Sequence, residues 1–248
     1  MELADALARL EAAGTEQNRK IYRRHGAREP LFGVSFAILD KMAKEAKRDQ
    51  ALAEGLWATG NHDARMLACK VADPARFTDE RLDAWLNDIE QYTLVDVFTG
   101  TVAARVPGVA ERAARWSAST RDWTAQAGWD LYSHLAMGDA VGEAADHESG
   151  DEPAADATFE QLVARVERDV HTSGNRTRHG MNMALCAIGG RNERLRGIAE
   201  AAAGRIGPIT VDHGETGCKT PSIVPYIAKI WDHKHAKAQR AAAKGAHA

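Results

Sequence analysis

The chain of 248 residues is 44% hydrophobic and 27% charged, which is ordinary for a globular protein and long enough to bury a sizeable core. No window approaches the roughly 18 uninterrupted apolar residues of a membrane span, so no membrane partner is expected. The net charge of -3 does not announce a nucleic-acid binder, but it is unevenly spread. Asp139, Glu143, Asp146, Glu148, Asp151, Glu152, Asp156 and Glu160 follow one another with no Lys or Arg between them. Without these eight acids the rest of the chain is net basic.

Cys69, Cys186 and Cys218 are odd in number and far apart, which argues against a disulfide framework and predicts a reducing, cytoplasmic setting. The N-terminal segment reads as an acidic amphipathic helix rather than a secretory leader, with Leu3, Leu7 and Leu10 on one stripe. Ser35 is placed to cap a helix that turns Phe36, Leu39, Met42 and Ala43 inward. Leu52, Leu56 and Trp57 make the next stripe. Asn61 then caps a helix carrying Ala64, Leu67, Ala68 and Val71, which Asp73-Pro74 ends. Leu82, Trp85, Leu86 and Ile89 follow, then Leu94, Val95, Phe98 and Val102, and residues 109–116, 123–135, 159–170, 175–188 and 195–206 repeat the pattern. The only strand-like stretch, 209–211, is too short to seed a sheet.

Roughly a dozen helices with short links predict an all-α fold of antiparallel helix pairs stacked side by side into a curved array. A globular bundle with longer crossovers is the alternative. One domain is expected over residues 1–233, with an acidic loop at about 138–157 and a basic, alanine-rich tail at 234–248. The six tryptophans, Trp57, Trp85, Trp116, Trp123, Trp129 and Trp231, mostly fit inner faces of helices and read as core rather than as stacking platforms.

Several stretches carry a resemblance. They are Asn18-Arg19-Lys20-Ile21-Tyr22-Arg23-Arg24-His25-Gly26 with Phe32-Gly33-Val34, then Leu56-Trp57 through Asn61-His62-Asp63-Ala64-Arg65, then Tyr92-Thr93-Leu94-Val95-Asp96, then Asn182-Met183-Ala184-Leu185-Cys186-Ala187-Ile188-Gly189. In order and spacing, over about residues 15–230, they resemble the DNA alkylation repair (AlkD-like) family. The resemblance implies HEAT-like helical repeats forming a curved superhelix, and double-stranded DNA as the partner. Glycosylase members of that family remove N3- and N7-alkylated purines with an aromatic, an acid four residues later, an arginine and a second aromatic. Tyr92 and Asp96 match the first two, although Trp is more usual at the first. Thr124, Ala125 and Gln126 stand where the arginine is expected, and Gly190 where the second aromatic is expected. That departure predicts weak or absent excision of simple methylpurines.

On physical grounds, Tyr92 and Asp96 share a helix face one turn apart. A carboxylate there would stabilise the cationic sugar of a breaking N-glycosidic bond, and the ring would stack on sugar or base. The alternative is that Tyr92 packs between helices and Asp96 bonds a neighbouring turn. Arg19, Lys20, Arg23 and Arg24 form one cationic group and Arg176, Arg178 and Arg191 another, and these with Lys219 are the candidate phosphate contacts. Their alternative is a solvated face with ordinary salt bridges.

The segment 211–221 is the most unusual. Thr220-Pro221 reads as a cap and first position of a helix from Ser222, with Cys218 and Lys219 just before it. The choices there are a structural turn, an anion or partner site, or a metal or reactive cysteine. No second cysteine or regular histidine spacing supports a metal, so neither metal nor cofactor is expected. A protein-binding helical scaffold without enzymatic activity is the competing function.

Overall fold

The computed structural model describes the backbone of residues 1–140 and 153–245, and side chains over 1–140 and 156–240. Among them run thirteen α-helices and no strand. They are α1 (Leu3–Ala13), α2 (Glu16–Arg24), α3 (Phe36–Ala46), α4 (Gln50–Ala58), α5 (His62–Val71), α6 (Asp79–Asn87) and α7 (Tyr92–Thr101). After these come α8 (Val109–Ser117), α9 (Asp122–Met137), α10 (Pro153–Asp169), α11 (Asn175–Gly189), α12 (Glu193–Ile206) and α13 (Ile223–Gly245). No described helix is long and apolar enough to cross a membrane.

Local chemistry explains most helix starts. The side chains of Thr15, Asp49, Asn61, Thr78, Gln91 and Asn192 each accept from a backbone N–H of the first turn. Ser35 precedes α3 as expected, yet its hydroxyl makes no cap. The N–H groups of Ile38 and Leu39 bond its carbonyl oxygen instead. The acidic stretch falls largely on residues 141–152, outside the described residues. Pro153 already opens α10, at a position where a missing N–H costs nothing, so residues 153–157 are helical. Residues 234–245, expected as a tail, continue α13.

Helices α3, α5, α7, α9, α11 and α13 touch in succession and form one layer, while α4, α8, α10 and α12 pack behind their neighbours as the second. The result is a curved superhelix of helix pairs rather than a bundle. Trp57 stacks on Trp85 with ring centroids 3.9 Å apart, and Phe77 meets Trp85 edge-on at 4.9 Å. Trp85, Phe98 and Trp116 extend this aromatic core between the layers.

Two glycines set the approach of the layers near the middle. A Cβ on Gly128 would lie 2.1 Å from the Ser117 backbone nitrogen, and one on Gly180 would lie 2.8 Å from Trp129 Cβ. Only glycine lets α9 approach α8 and α11 this closely. At the N-terminal end, the fully buried Asp63 accepts from the N–H groups of Phe32, Gly33 and Val34 at 2.7, 3.0 and 2.7 Å. One carboxylate thereby ties the segment before α3 to the start of α5.

Candidate functional site

Because α7, α9 and α11 are consecutive in the concave layer, they converge their side chains. Tyr92 and Asp96 come from α7, Trp123, Gln126 and Asp130 from α9, and Arg176 and His179 from α11. The start of α11 has no side-chain cap of its own, because its N-cap is Gly174. Asp122 of α9 supplies one, accepting from the N–H groups of Arg176 and Thr177, both at 2.8 Å. This borrowed cap fixes where Arg176 enters the groove.

Arg176 is only 7% exposed. Its guanidinium carbon lies 4.8 Å from the Tyr92 ring centroid and 5.6 Å from that of Trp123. Its Nε donates to Gln126 Oε1 at 3.0 Å, and Gln126 Nε2 donates to Asp96 Oδ1 at 3.0 Å and more weakly to Asp130 Oδ2 at 3.4 Å. Arg176 Nη2 and His179 Nδ1 are buried without a hydrogen-bond partner among the described residues.

The electrostatics follow from this crowding. Asp96 as a residue is exposed, yet burial of its carboxyl group raises it from 3.8 to about 6, against the pull of Arg176 and the Gln126 bond. Asp130 is pushed well above the ordinary carboxyl value by burial and then by Asp96. Burial, Arg176 and His213 lower His179 to about 4, so its imidazole is neutral at pH 7. A planar cation thus lies against two aromatic rings in a cluster that includes two carboxyl groups.

The segment 211–221 reaches this site from the other end of the chain. Asn175 pins it through paired bonds, its Nδ2 donating to Asp212 O at 2.8 Å and its Oδ1 accepting from Asp212 N at 2.7 Å. The Thr220 hydroxyl accepts from Val211 N at 3.2 Å and lies 3.1 Å from His213 Nε2. Thr220 is therefore spent on closing the turn, and α13 begins at Ile223 rather than after a Thr220 cap. The backbone at Gly214 comes up to the carbonyl of Arg24. The Cys218 thiol faces the Tyr92 hydroxyl, which also meets His25 Nδ1. Burial first, and then this thiol, raise the Tyr92 hydroxyl above its ordinary value. Cys218 is exposed, whereas burial pushes the thiols of Cys69 and Cys186 up. No group of three metal-ligating side chains occurs among the described residues.

The candidate cations divide by their partners. Arg19 pairs with Glu16 at 2.8 Å and bonds Phe32 O, and Arg23 pairs with Glu29 at 2.7 Å. Arg178 donates to Thr210 O at 2.8 Å, and Arg191 pairs with Asp156 at 3.3 Å while lying 4.9 Å from the Phe159 ring centroid. Lys20, Arg24 and Lys219 are exposed and have no acidic partner among the described residues. Lys20 and Arg24 lie one turn apart on α2, and Lys219 follows the thiol that faces Tyr92. Arg176 is inside the site, and Arg178 and Arg191 are engaged elsewhere.

Asp130 carries no motif of its own in the sequence, and Gln126 stands there only in place of the expected arginine. An available signal was the i, i+4 spacing of Gln126 and Asp130, with Trp123 three residues earlier, on a helix following that of Asp96.

The family described as DNA alkylation repair enzyme matches residues 6–199. Two uncharacterized Listeria proteins, from Listeria innocua and Listeria monocytogenes, are each 26% identical over 226 residues, covering 89% of this chain and 93% of theirs. A solved structure superimposes with a TM-score of 0.80 at 28% identity, covering 94% of this chain and 95% of that one. It is described as representing a new family of proteins related to the HEAT-like repeat DNA glycosylases with affinity for branched DNA structures.

Proposed function

The chain belongs to the DNA alkylation repair enzyme family, and on that premise we propose that it binds DNA, with branched structures preferred, and excises simple methylpurines weakly or not at all. The observation that carries this reading is Arg176 on the Tyr92 ring. An N3- or N7-alkylated purine is a planar cation and would seek the same aromatic and carboxylate groups. Stacking a cation on an aromatic ring contributes about 0.5–2 kcal/mol. Two like charges at about 4 Å repel by about 4 kcal/mol at an effective dielectric of about 20. The repulsion outweighs the stacking, so a cationic base does not share the seat with Arg176.

Binding without cutting is supported by three cations. Lys20, Arg24 and Lys219 are exposed and form no ion pair among the described residues, which leaves them available as phosphate contacts. The resemblance of fold to a protein described as having affinity for branched DNA favours a junction over a plain duplex.

Two measurements made side by side test the proposal. One is affinity for a four-way junction against a duplex of the same sequence. The other is release of N7-methylguanine and N3-methyladenine from alkylated duplex. Junction preference with little release is expected. Robust release by the wild type would overturn the excision half, and absence of any salt-sensitive DNA binding would favour the protein-scaffold reading.

A further inference from the structure

Behind Tyr92, a cavity of about 240 Å³ opens between α2, α3, α5 and the start of α7. Its walls are predominantly apolar and aromatic, with Tyr22, Phe36 and Tyr92 among them. That volume lies below the roughly 300–1,000 Å³ typical of pockets for larger small molecules, and it suits one flat ring system. Arg176 covers one face of Tyr92, and the cavity uses the same residue as a wall.

Several polar side chains line the cavity, but Asp63 is committed to the N–H groups of Phe32, Gly33 and Val34, and Gln91 to His25 O and Leu94 N. The His62 side chain lines it, is 8% exposed at the residue level, and makes no hydrogen bond among the described residues. Burial lowers His62 below the ordinary histidine value, so at pH 7 its ring offers one donor and one acceptor. The Thr93 hydroxyl accepts from Gln91 Nε2 at 2.9 Å and is engaged with the Tyr92 hydroxyl, so it closes the wall rather than offering a free donor. On α2, Lys20 and Arg24 flank Ile21 and Tyr22, exposed and forming no ion pair among the described residues.

We propose that this cavity takes a single unpaired nucleobase of bound DNA, stacked against the aromatic walls with its edge against His62, while Lys20 and Arg24 hold the flanking phosphates. The inference rests on the DNA-binding reading above and adds a base-accepting site apart from the Asp96 groove. A purely apolar ligand would leave the His62 ring unanswered and would have no use for Lys20 and Arg24. A nucleotide has the flat face, the hydrogen-bonding edge and the phosphate together. Fully paired duplex lacks a base free to enter, whereas a bulge or branch point supplies one at smaller cost.

The test compares a duplex carrying one bulged nucleotide with the same duplex carrying an abasic residue at the bulge. Wild type is expected to prefer the base on the order of tenfold, the contribution of one stacked base. Phe36→Ala removes an exposed wall, and Ile21→Trp fills the space. Each should abolish the preference while leaving affinity for the abasic duplex within about twofold. Circular dichroism of both variants checks that they are folded, and Phe36, being 38% exposed, is the safer change. Equal affinity of wild type for base and abasic bulges overturns the cavity while leaving DNA binding intact. So does a preference that survives in both folded variants. Failure to bind either duplex overturns both readings.

Discussion

The guanidinium of Arg176 lies on the ring of Tyr92, with its carbon 4.8 Å from the ring centroid. The contact joins α11 to α7 across α9, and Gln126 of α9 links Arg176 to Asp96. In the proposed reading, Arg176 takes the seat that a charged base would need.

Removing the occupant should expose the seat. Arg176→Ala is expected to bind small planar cations, so low-millimolar guanidinium should raise its melting temperature while leaving that of the wild type unchanged. At a concentration equal to its dissociation constant, the ion would contribute about 0.4 kcal/mol. An identical response of the two proteins would show that the site does not select a cation.

The raised pKa of Asp96 gives a pH dependence of defined sign. Its folded value of about 6 exceeds the ordinary 3.8, so the folded state holds the proton more tightly. That stabilising contribution is fully present below about pH 4 and is lost as pH rises through 6. Asp96→Asn should thus melt higher than wild type at pH 7, with the gap closing by pH 4. His179, lowered to about 4, acts in the opposite sense in both proteins, so the difference between them reads Asp96 together with Asp130, which Asp96 raises. A gap independent of pH would remove the titration argument.

Asp63→Ala should be among the most damaging single changes. It leaves the N–H groups of Phe32, Gly33 and Val34 without their acceptor in the interior. Each unsatisfied buried donor costs about 1–3 kcal/mol, so a loss of at least about 3 kcal/mol is expected in urea denaturation. A loss below 1 kcal/mol, on the order of a surface change, would mean that water replaces the carboxylate.

Phosphate contact should appear in the salt dependence. Changing Lys20, Arg24 or Lys219 to Ala should each weaken junction and duplex binding alike and reduce the slope of log affinity against log salt by about 1. Arg191→Ala should leave the slope unchanged, because Arg191 is committed to Asp156 and Phe159. If Arg191 alters the slope and the three exposed residues do not, the DNA path lies elsewhere on the surface.

Helical periodicity, Asn61 as a cap, and the spacing of Tyr92 to Asp96 were readable along the chain because each is local, depending on residues within about two turns. The apolar stripes even foretold the stacking of helix pairs, since each stripe needs a neighbouring helix to cover it. What the chain could not show was which cations are free. Arg19, Arg23 and Arg191 resemble Lys20, Arg24 and Lys219 in sequence, but only the first three find carboxylates, and those of Arg23 and Arg191 include Glu29 and Asp156 from beyond their own helices. Likewise Arg176 reads as one of several surface arginines until Gly128 and Gly180 draw α8, α9 and α11 together and Asp122 caps α11. Composition and period determined that helices form and stack. Long-range packing alone decided that an arginine 80 residues from Asp96 enters its groove, because contacts between layers depend on interhelical distance and approach, which no local pattern encodes.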